Sequence, residues 1–387
     1  MVRIAYILTP ITFGGSEKVS LNFLKHVDRR RYHIKPILLI RPWEDEPYFA
    51  RELRRYGYRF ESVPVAVRRT IDPIRVPRVA ARLFAILRKG AFHLVHTHGY
   101  FADICGQPAA RLLGIPGIST CHGYISTNGN LKLYNMLDKK ALRLSRKIIA
   151  VSRDIRDELL QSGIESDRIE VVQNACGNGL GEDEIIRLRM DRRSALGIGE
   201  EEFVLGFAGR ISEEKGLRHL VAAVSEMRSH GKPIKLVILG DGPERGILSG
   251  LVRGEGLQEQ VVFAGFRENS EEWFCAFDVF VLPSLSEGTP MALIEAMSLG
   301  IPVVASAVGG VPDVIDDGTN GFLVPPGESR ELSRRIQQLM DDEGLRKRLS
   351  RAGRDMVTRR YNVLDWSRTI ERMYDSLAVD QVPGGLS

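Results

Sequence analysis

The sequence has no apolar run of the roughly 18 residues that a membrane-spanning helix needs. Its first residues, MVRIAYILTP, contain one arginine and a short apolar run that ends at Pro10. That pattern is typical of a first buried strand and not of a signal peptide. We therefore expect a cytoplasmic protein, and peripheral association with the inner face of a membrane stays open.

Cysteine is scarce and shows no metal-ligand spacing. The thiols are far apart, which predicts buried free cysteines in a reducing compartment; they are Cys105, Cys121, Cys176 and Cys275. His96 and His98 in HTHG would lie on one side of a strand, but no carboxylate or cysteine stands near them at ligand spacing. The sequence therefore predicts no bound metal and no cofactor.

Low-complexity tracts are absent too, and a globular chain of 387 residues is long enough for two domains. Its charge is unevenly distributed. Residues 1–180 contain 29 Lys and Arg against 16 Asp and Glu, whereas residues 181–387 contain 25 against 33. This asymmetry indicates an anionic partner for the first half, either nucleic acid or an anionic membrane surface, although a basic surface without a partner would look the same. No aromatic stacking platform or recognition module is visible, so we expect no nucleic acid.

Short apolar segments alternate with helical segments along the chain, which predicts α/β domains with parallel sheets. The first series of predicted strands is 3–8, 34–40, 60–64, 94–97, 117–121 and 147–151, and the second is 204–208, 234–240, 261–264, 279–282, 303–305 and 321–324. Turn residues in VQNACGNGLG, 172–181, mark the boundary between them. We expect two doubly wound, Rossmann-like domains, 1–176 and 177–360, facing across a cleft. A C-terminal helix and tail, 361–387, would pack back on the first domain.

Two loops in the first half can contact a ligand. Gly14-Gly15-Ser16 follows the first strand, so a phosphate or a sugar could approach its backbone and the amides of the next helix. It is neither a P-loop nor GxGxxG, and a plain tight turn explains it equally well. Cys121-His122-Gly123-Tyr124 ends another strand. His122 could hydrogen-bond a sugar hydroxyl or a phosphate, or serve the fold alone.

Two loops in the second half carry a different chemistry. In GRISEEKG, 209–216, a strand delivers Arg210 and a helix begins near Lys215, so both cations could hold a diphosphate, although a solvated basic loop is the alternative. GDGP, 240–243, is a turn that would shape the neighbouring site.

The stretch PSLSEGTPMALIEAMSLGIPVVA, 283–305, places Glu287 and Glu295 eight residues apart around a helix start. Pro290 suits the first turn of that helix. The free amides of residues 291–293 would then form an anion site. Two carboxylates beside an anion site suit a ligand with hydroxyls and phosphates, such as a sugar nucleotide.

In sum these motifs resemble the family 4 glycosyltransferases, which have the GT-B fold, over nearly the whole chain. The matching segments are GGSEK, CHGY, GRISEEKG, GDGP, the 283–306 stretch, GGVPDVI at 309–315 and NGFLVPPG at 320–327. The resemblance implies retention of anomeric configuration without a metal. It also implies a diphosphate held by Arg210 and Lys215, a donor sugar at Glu287, a ribose at Glu295, and His122 as the active-site histidine.

From the resemblance we expect three groups of site residues. The catalytic group is Arg210, Lys215, Glu287 and His122. The donor-binding group is Gly15, Gly209, Arg210, Lys215, Gly240, Glu287, Gly288, Met291, Leu293 and Glu295. The acceptor side is Gly14, Gly15, His122 and Tyr124. The chain departs from the family at Gln173-Asn174-Ala175-Cys176, where Pro-Asn-Gly-Val is common, and at Pro312-Asp313, where Pro-Glu is common.

The predicted function is transfer of a sugar from a nucleoside-diphosphate sugar to a glycan or a lipid-linked (polyprenyl) acceptor, in cell-surface polysaccharide, lipopolysaccharide or glycolipid synthesis. The alternatives are a sugar-nucleotide epimerase or hydrolase, and a non-catalytic binder of nucleotide sugars or nucleic acid. Two basic helical segments, 75–89 with an apolar side, and 131–145, could lie on anionic lipid. A packed helix with a solvated basic face is the alternative for each.

Overall fold

The computed structural model describes residues 1–10, 14–41, 46–65, 74–123, 129–177, 180–228 and 233–379. The chain forms two compact units. One consists of Met1–Asn174 together with the chain from Val363 onward, and the other of Ala175–Asn362. Each unit contains one parallel sheet with helices, so the predicted α/β class with two doubly wound domains is confirmed. Within the described ranges, no helix is long and apolar enough to cross a bilayer.

The first unit has a seven-stranded sheet in the order β3-β2-β1-β4-β5-β6-β7. Its strands are β1 Val2–Leu8, β2 Tyr32–Ile40, β3 Glu61–Pro64, β4 Leu94–His98, β5 Gly117–Cys121, β6 Lys147–Ala150 and β7 Ile169–Val171. Its helices are α1 Gly15–His26, α2 Tyr48–Arg55, α3 Arg75–Gly90, α4 Tyr100–Leu112, α5 Gly129–Leu142, α6 Arg153–Gln161 and, at the end of the chain, α14 Val363–Val379. Every neighbouring pair is parallel, so the carboxyl ends of all these strands lie at one edge.

The apolar side of α3 belongs to the core of this unit. Val79, Leu83 and Leu87 are at most 2 % exposed and pack in one cluster with side chains of β1, β2 and α4. Burying each such side chain contributes roughly 1.5–3 kcal/mol. The apolar side that could have faced lipid is therefore used inside the fold, in agreement with the packed-helix alternative, and the exposed side of α3 carries its basic residues.

The last helix, α14, packs on α1 in the same unit. The rings of Trp366 and Tyr374 lie 5.9 and 5.7 Å from the ring of Phe23 on α1. From β2, the Tyr32 hydroxyl donates to a carboxylate oxygen of Asp375 at 2.6 Å. The prediction that the C-terminal helix returns to the first domain is thus confirmed.

The second unit has a six-stranded parallel sheet in the order β10-β9-β8-β11-β12-β13. Its strands are β8 Phe203–Ala208, β9 Ile234–Leu239, β10 Val261–Gly265, β11 Val279–Leu282, β12 Val303–Ser306 and β13 Phe322–Val324. Its helices are α7 Glu182–Ala195, α8 Leu217–Met227, α9 Arg245–Gly254, α10 Ser270–Phe274, α11 Met291–Ser298, α12 Ser329–Asp341 and α13 Glu343–Arg360. The central strands are buried along nearly their whole length because helices cover both faces of the sheet.

Candidate functional site

The predicted phosphate and sugar residues of the second unit lie in loops at one edge of its sheet and on α11, the helix that follows one of these loops. These loops follow β8, β9, β11 and β12, whose carboxyl ends coincide because the strands are parallel. Backbone hydrogen bonds join the loops in sequence: Gly209 N to Leu239 O at 3.0 Å, Ile211 N to Asp241 O at 3.0 Å, Leu285 N to Glu214 O at 2.8 Å and Gly310 N to Gly288 O at 3.0 Å. Gly209, Arg210, Gly240 and Gly288 are thereby held in one connected structure.

Two glycines let these loops approach each other closely. Gly240 has a φ of +132°, and a Cβ there would lie 1.9 Å from the carbonyl oxygen of Gly209. Gly309 has a φ of +52°, and a Cβ there would lie 1.7 Å from the carbonyl oxygen of Glu287. Only glycine fits such contacts. Gly309, which we had not singled out as a site residue, therefore sets the backbone position of Glu287.

Lys215 and Glu287, predicted from separate motifs, contact each other directly. The Lys215 ammonium donates to Oε1 of Glu287 at 2.7 Å, and the hydroxyl of Ser284 donates to the same oxygen at 2.6 Å. The two charged side chains are 22 % and 7 % exposed. Because the ammonium has three donors, Lys215 can hold Glu287 and a phosphate oxygen at once. Ser284 was missed because a single serine before a turn has no distinctive sequence signal.

Arg210 lies near Lys215 in sequence, but its side chain is in a different environment. Its side chain is exposed, and it has no hydrogen-bond or ion-pair partner in the part of the chain that the structure describes. A guanidinium that is not shared with a carboxylate offers all five N–H donors and its full charge to a phosphate. Arg210 is in this position.

The start of α11 differs from the prediction. Pro290 precedes the helix as its N-cap and is not in its first turn. The amide of Leu293 donates to the carbonyl oxygen of Pro290 at 3.1 Å, so the expectation of a free Leu293 amide was wrong. Among the described residues, the amides of Met291 and Ala292 have no acceptor. The anion site at this helix start therefore has two donors, because the tight first turn uses the third.

Glu295 lies farther along α11 and is buried, with 3 % of its surface exposed. The pKa of the Cys176 thiol is raised to about 12, mainly by burial and secondly by the charge of Glu295. Glu295 and Cys176 are therefore neighbours in the second unit. Cys176 occupies the segment where the sequence departs from the family pattern, so this departure lies beside the predicted ribose residue.

In the first unit, a carboxylate already occupies the glycine loop. The amide of Gly14 donates to Oε2 of Glu17 at 3.1 Å, and the hydroxyl of Ser16 donates to the same oxygen at 2.8 Å. Gly15 begins α1 and is exposed. A carboxylate at a helix start opposes a second anion there. Gly14 and Gly15 are therefore better placed for a neutral hydroxyl than for a phosphate.

The predicted histidine belongs to a stack of three imidazoles. His122 follows β5, and its Nε2 lies 3.4 Å from Nδ1 of His98 at the end of β4. The ring of His98 lies 4.3 Å from that of His96, which confirms that these two share one side of the strand. Burial lowers the pKa of His122 to about 4 and that of His96 to about 3. All three rings are therefore neutral near pH 7.

No group of three potential metal ligands occurs among the described residues. Tyr124, predicted on the acceptor side, lies outside the described residues. All four cysteines are free and buried, as predicted.

Known proteins resemble the chain over most of its length. The family model for glycosyl transferases group 1 matches residues 189–356, and that for Glycosyltransferase Family 4 matches residues 13–176. The 2-deoxystreptamine glucosyltransferase of Streptomyces kanamyceticus is 32% identical over 70% of this chain and 73% of its own. The UDP-Gal:alpha-D-GlcNAc-diphosphoundecaprenol alpha-1,3-galactosyltransferase of Escherichia coli is 24% identical over 98% of both chains. A crystal structure of the Anabaena protein HepE with UDP-glucose has a TM-score of 0.81 at 22% identity, covering 97% of this chain and 100% of that one.

Proposed function

This chain belongs to the group 1 glycosyltransferases of family 4, and we propose that it transfers a sugar to a lipid-linked glycan with retention of configuration and without a metal ion. It is a glycosyltransferase that uses a nucleotide-sugar donor. The observation that carries the proposal is the contact between Lys215 and Glu287 beside an exposed Arg210. This contact puts a diphosphate grip next to a carboxylate that can accept from sugar hydroxyls.

The diphosphate of the donor would bind to cations and amides of the second unit. Arg210 supplies a bidentate guanidinium, Lys215 a point charge, and Met291 and Ala292 the amides at the start of α11. Negative charge grows on the leaving diphosphate as the sugar departs. Donors that are already in place stabilise that charge without reorganising, and in such sites each one typically contributes several kcal/mol. These groups supply the role that a divalent cation plays in other transferases.

The carboxylates would hold the rest of the donor. Glu287 is fixed by Lys215 and Ser284, so its second oxygen can accept from a hydroxyl of the sugar. Glu295 accepts from the ribose hydroxyls in this proposal. Among the residues that the structure describes, no side chain stands out as a general base, so the leaving phosphate would take the proton of the acceptor hydroxyl on the face that it leaves. That geometry accounts for retention of configuration.

The acceptor would bind to the first unit, at the exposed backbone of Gly15 beside Gly14 and at the neutral imidazole of His122. A lipid-linked acceptor agrees with the name of the Escherichia coli relative, whose acceptor is a diphosphoundecaprenol. It also agrees with the basic first half of the sequence. Cell-surface polysaccharide or lipopolysaccharide synthesis, at the inner face of the membrane, is the corresponding pathway class.

Of the two basic helices, α5 is the better membrane surface. It exposes Leu133 and Met136 beside Lys132 and Lys140, with Leu144 exposed just beyond its end. Apolar and basic side chains on one exposed face suit an anionic lipid surface. In α3 the apolar side is buried, and Arg75 donates to the hydroxyl of Tyr134 at 2.7 Å.

A panel of nucleotide sugars tests the proposed function. UDP-glucose, UDP-galactose and UDP-N-acetylglucosamine are each incubated with and without a polyprenyl-diphosphate-linked sugar, in the presence of EDTA, and UDP release is measured. We expect acceptor-dependent release that EDTA leaves unchanged, and an α-linked product by NMR of the anomeric proton. Equal release without acceptor would indicate a hydrolase or an epimerase, and binding without release would indicate a non-catalytic binder.

A further inference from the structure

We propose that His98 is a positioning residue that fixes His122 as its Nδ1–H tautomer. Tyr374 on α14 holds the rings of His98 and His122 in position through its contact with His96. The inference deepens the proposed function and rests on it for the role of His122 at the substrate. It concerns which of its two nitrogens His122 offers as a donor.

Each imidazole in the stack carries one N–H. Burial lowers the pKa values of His96 and His122 to about 3 and about 4, and that of His98 well below its ordinary value. A neutral imidazole has one donor nitrogen and one acceptor nitrogen. The hydrogen-bond partners of each ring therefore decide its tautomer.

The partners of His98 place its hydrogen on Nδ1. Its side chain is 7 % exposed, and within the described residues its Nε2 is buried without a partner. A buried N–H without an acceptor is rarer and costlier than a bare acceptor atom. Nδ1 lies 3.4 Å from Nε2 of His122 and can donate to it. His98 is accordingly an Nδ1–H donor.

This assignment leaves His122 with one tautomer. Its Nε2 accepts from His98, so its own hydrogen lies on Nδ1. Through Nδ1, His122 can donate to a sugar hydroxyl or a phosphate oxygen but cannot accept a proton. This constraint fits a mechanism in which the leaving phosphate, and not a histidine, takes the proton of the acceptor.

The other side of the stack is held by the C-terminal helix. The hydroxyl of Tyr374 lies 2.6 Å from Nδ1 of His96 and has no other partner among the described residues, so we infer that it donates there. Nε2 of His96 then donates to the hydroxyl of Thr120 at 2.8 Å. The His96 ring, fixed at both nitrogens, packs against His98 at 4.3 Å. A residue near the end of the chain thus orients the rings beneath His122.

Nitrogen-15 NMR of the imidazoles tests the tautomer directly in the full-length protein. The resonances of His122 are assigned by comparison with His122→Gln. We expect a protonated Nδ1 and a bare Nε2 at pH 7.5 in the wild type, and a mixture of tautomers in His98→Phe, which keeps a ring in the stack but removes its donor. A His122 with its hydrogen on Nε2 in the wild type would overturn the inference.

Enzyme kinetics test whether Tyr374 on α14 holds the histidine rings in position. Tyr374→Phe and Tyr32→Phe each remove one buried hydroxyl from the packing of α14, but only the first contacts a histidine. With UDP-glucose as the probe, we expect Tyr374→Phe to lower kcat by about threefold and His98→Phe by about tenfold, with KM little changed and Tyr32→Phe near wild type. Equal losses in the two tyrosine variants would reject bracing in favour of general destabilisation.

One outcome separates the tautomer assignment from the proposed contact between His122 and the substrate. If His122→Gln leaves turnover unchanged while NMR still finds Nδ1–H in the wild type and a mixture in His98→Phe, the tautomer assignment stands. In that case the proposed contact between His122 and substrate fails.

Discussion

The two units present their polar groups in opposite ways. The loop edge of the second unit offers charges, with an exposed Arg210 and a Lys215–Glu287 ion pair held by loops that are bonded to one another. The strand ends of the first unit offer neutral imidazoles that burial keeps uncharged. A diphosphate is bound by fixed positive charge, whereas a hydroxyl is bound by a donor or an acceptor that stays neutral. In the proposed function the units divide the reaction in this way, with the diphosphate held by the second unit and the acceptor hydroxyl by the first.

The largest effect should come from removing the exposed charge of the second unit. Arg210→Ala should lower kcat by about 10²- to 10³-fold, because Arg210 stabilises charge that develops on the leaving diphosphate. Its unfolding temperature should stay unchanged, since the side chain is exposed and has no described partner. Arg218→Ala, which removes another exposed arginine from α8, is the control and should remain near wild type. Unchanged turnover in Arg210→Ala would eliminate the assignment.

The next effect concerns the basic side chains of the first unit, which we propose contact an anionic membrane surface and not the phosphates of the donor. Removing two basic residues of α5, in Lys132→Gln with Lys140→Gln, should weaken binding to anionic vesicles by about 30-fold, at about 1 kcal/mol per residue. Donor turnover in detergent should not change.

Removing the same number of charges from α3, in Arg82→Gln with Lys89→Gln, is the matched control, and we expect a smaller loss because the apolar side of α3 is buried. Both measurements use sedimentation with phosphatidylglycerol vesicles. Equal sedimentation of the wild type with neutral and anionic vesicles would end the membrane proposal.

A smaller effect should follow from breaking the ion pair. Lys215→Ala leaves Glu287, 7 % exposed, without its cation and should reduce the stability of the second unit by roughly 1–3 kcal/mol. Adding Glu287→Gln should recover part of that loss, since it removes the buried charge. Hydrogen exchange at β8 and β11 measures both. A double variant that loses more stability than the two single variants lose together would show that the pair does not stabilise the loops.

The smallest effect is the contribution of His122 to the pH dependence of the first unit's stability. The folded-state pKa of His122, about 4, is below its ordinary value of 6.5, so on acidification the unfolded state binds a proton first. This contribution to stability is complete above pH 6.5 and is lost as the pH falls towards 4. His96 acts in the same direction down to about pH 3.

Asp103 acts with the opposite sign, because burial raises the pKa of its carboxyl and its contribution declines as the pH rises. The difference between wild type and His122→Gln cancels that term. Between pH 6.5 and 4.5, protection of β5 amides from hydrogen exchange, corrected for intrinsic rates, should fall more steeply in the wild type. Identical slopes would show that His122 titrates normally.

Much of the fold was predictable because parallel strands covered on both faces are apolar runs between turns. The strand predicted at 117–121 has the observed bounds, Gly117–Cys121, and residue 361, where we predicted the C-terminal segment to begin, lies between α13 and α14. Elements between residues 152 and 171 were not predicted. Among them β7 has only three residues, Ile169–Val171, and so short a segment shows no periodicity.

The motifs also identified candidate site residues, since strand ends and turn chemistry place polar groups at the edge of a parallel sheet. These candidates are Arg210, Lys215, Glu287 and His122. Local sequence could not show what those groups contact. Pro290 illustrates the limit on a small scale, because whether a proline is the N-cap or the first helical residue depends on the loop before it, which tertiary contacts fix.

The sequence by itself determined the class of the fold, the family, and the residue types available for phosphates and sugars, because these follow from periodicity and from short segments. Only the tertiary structure decided the partners. Lys215 meets Glu287, 72 residues away, and Tyr374 meets His96, 278 residues away. Such contacts depend on strand order and helix packing, and these in turn determine whether a side chain is exposed like Arg210, paired like Lys215, or kept neutral like the three histidines.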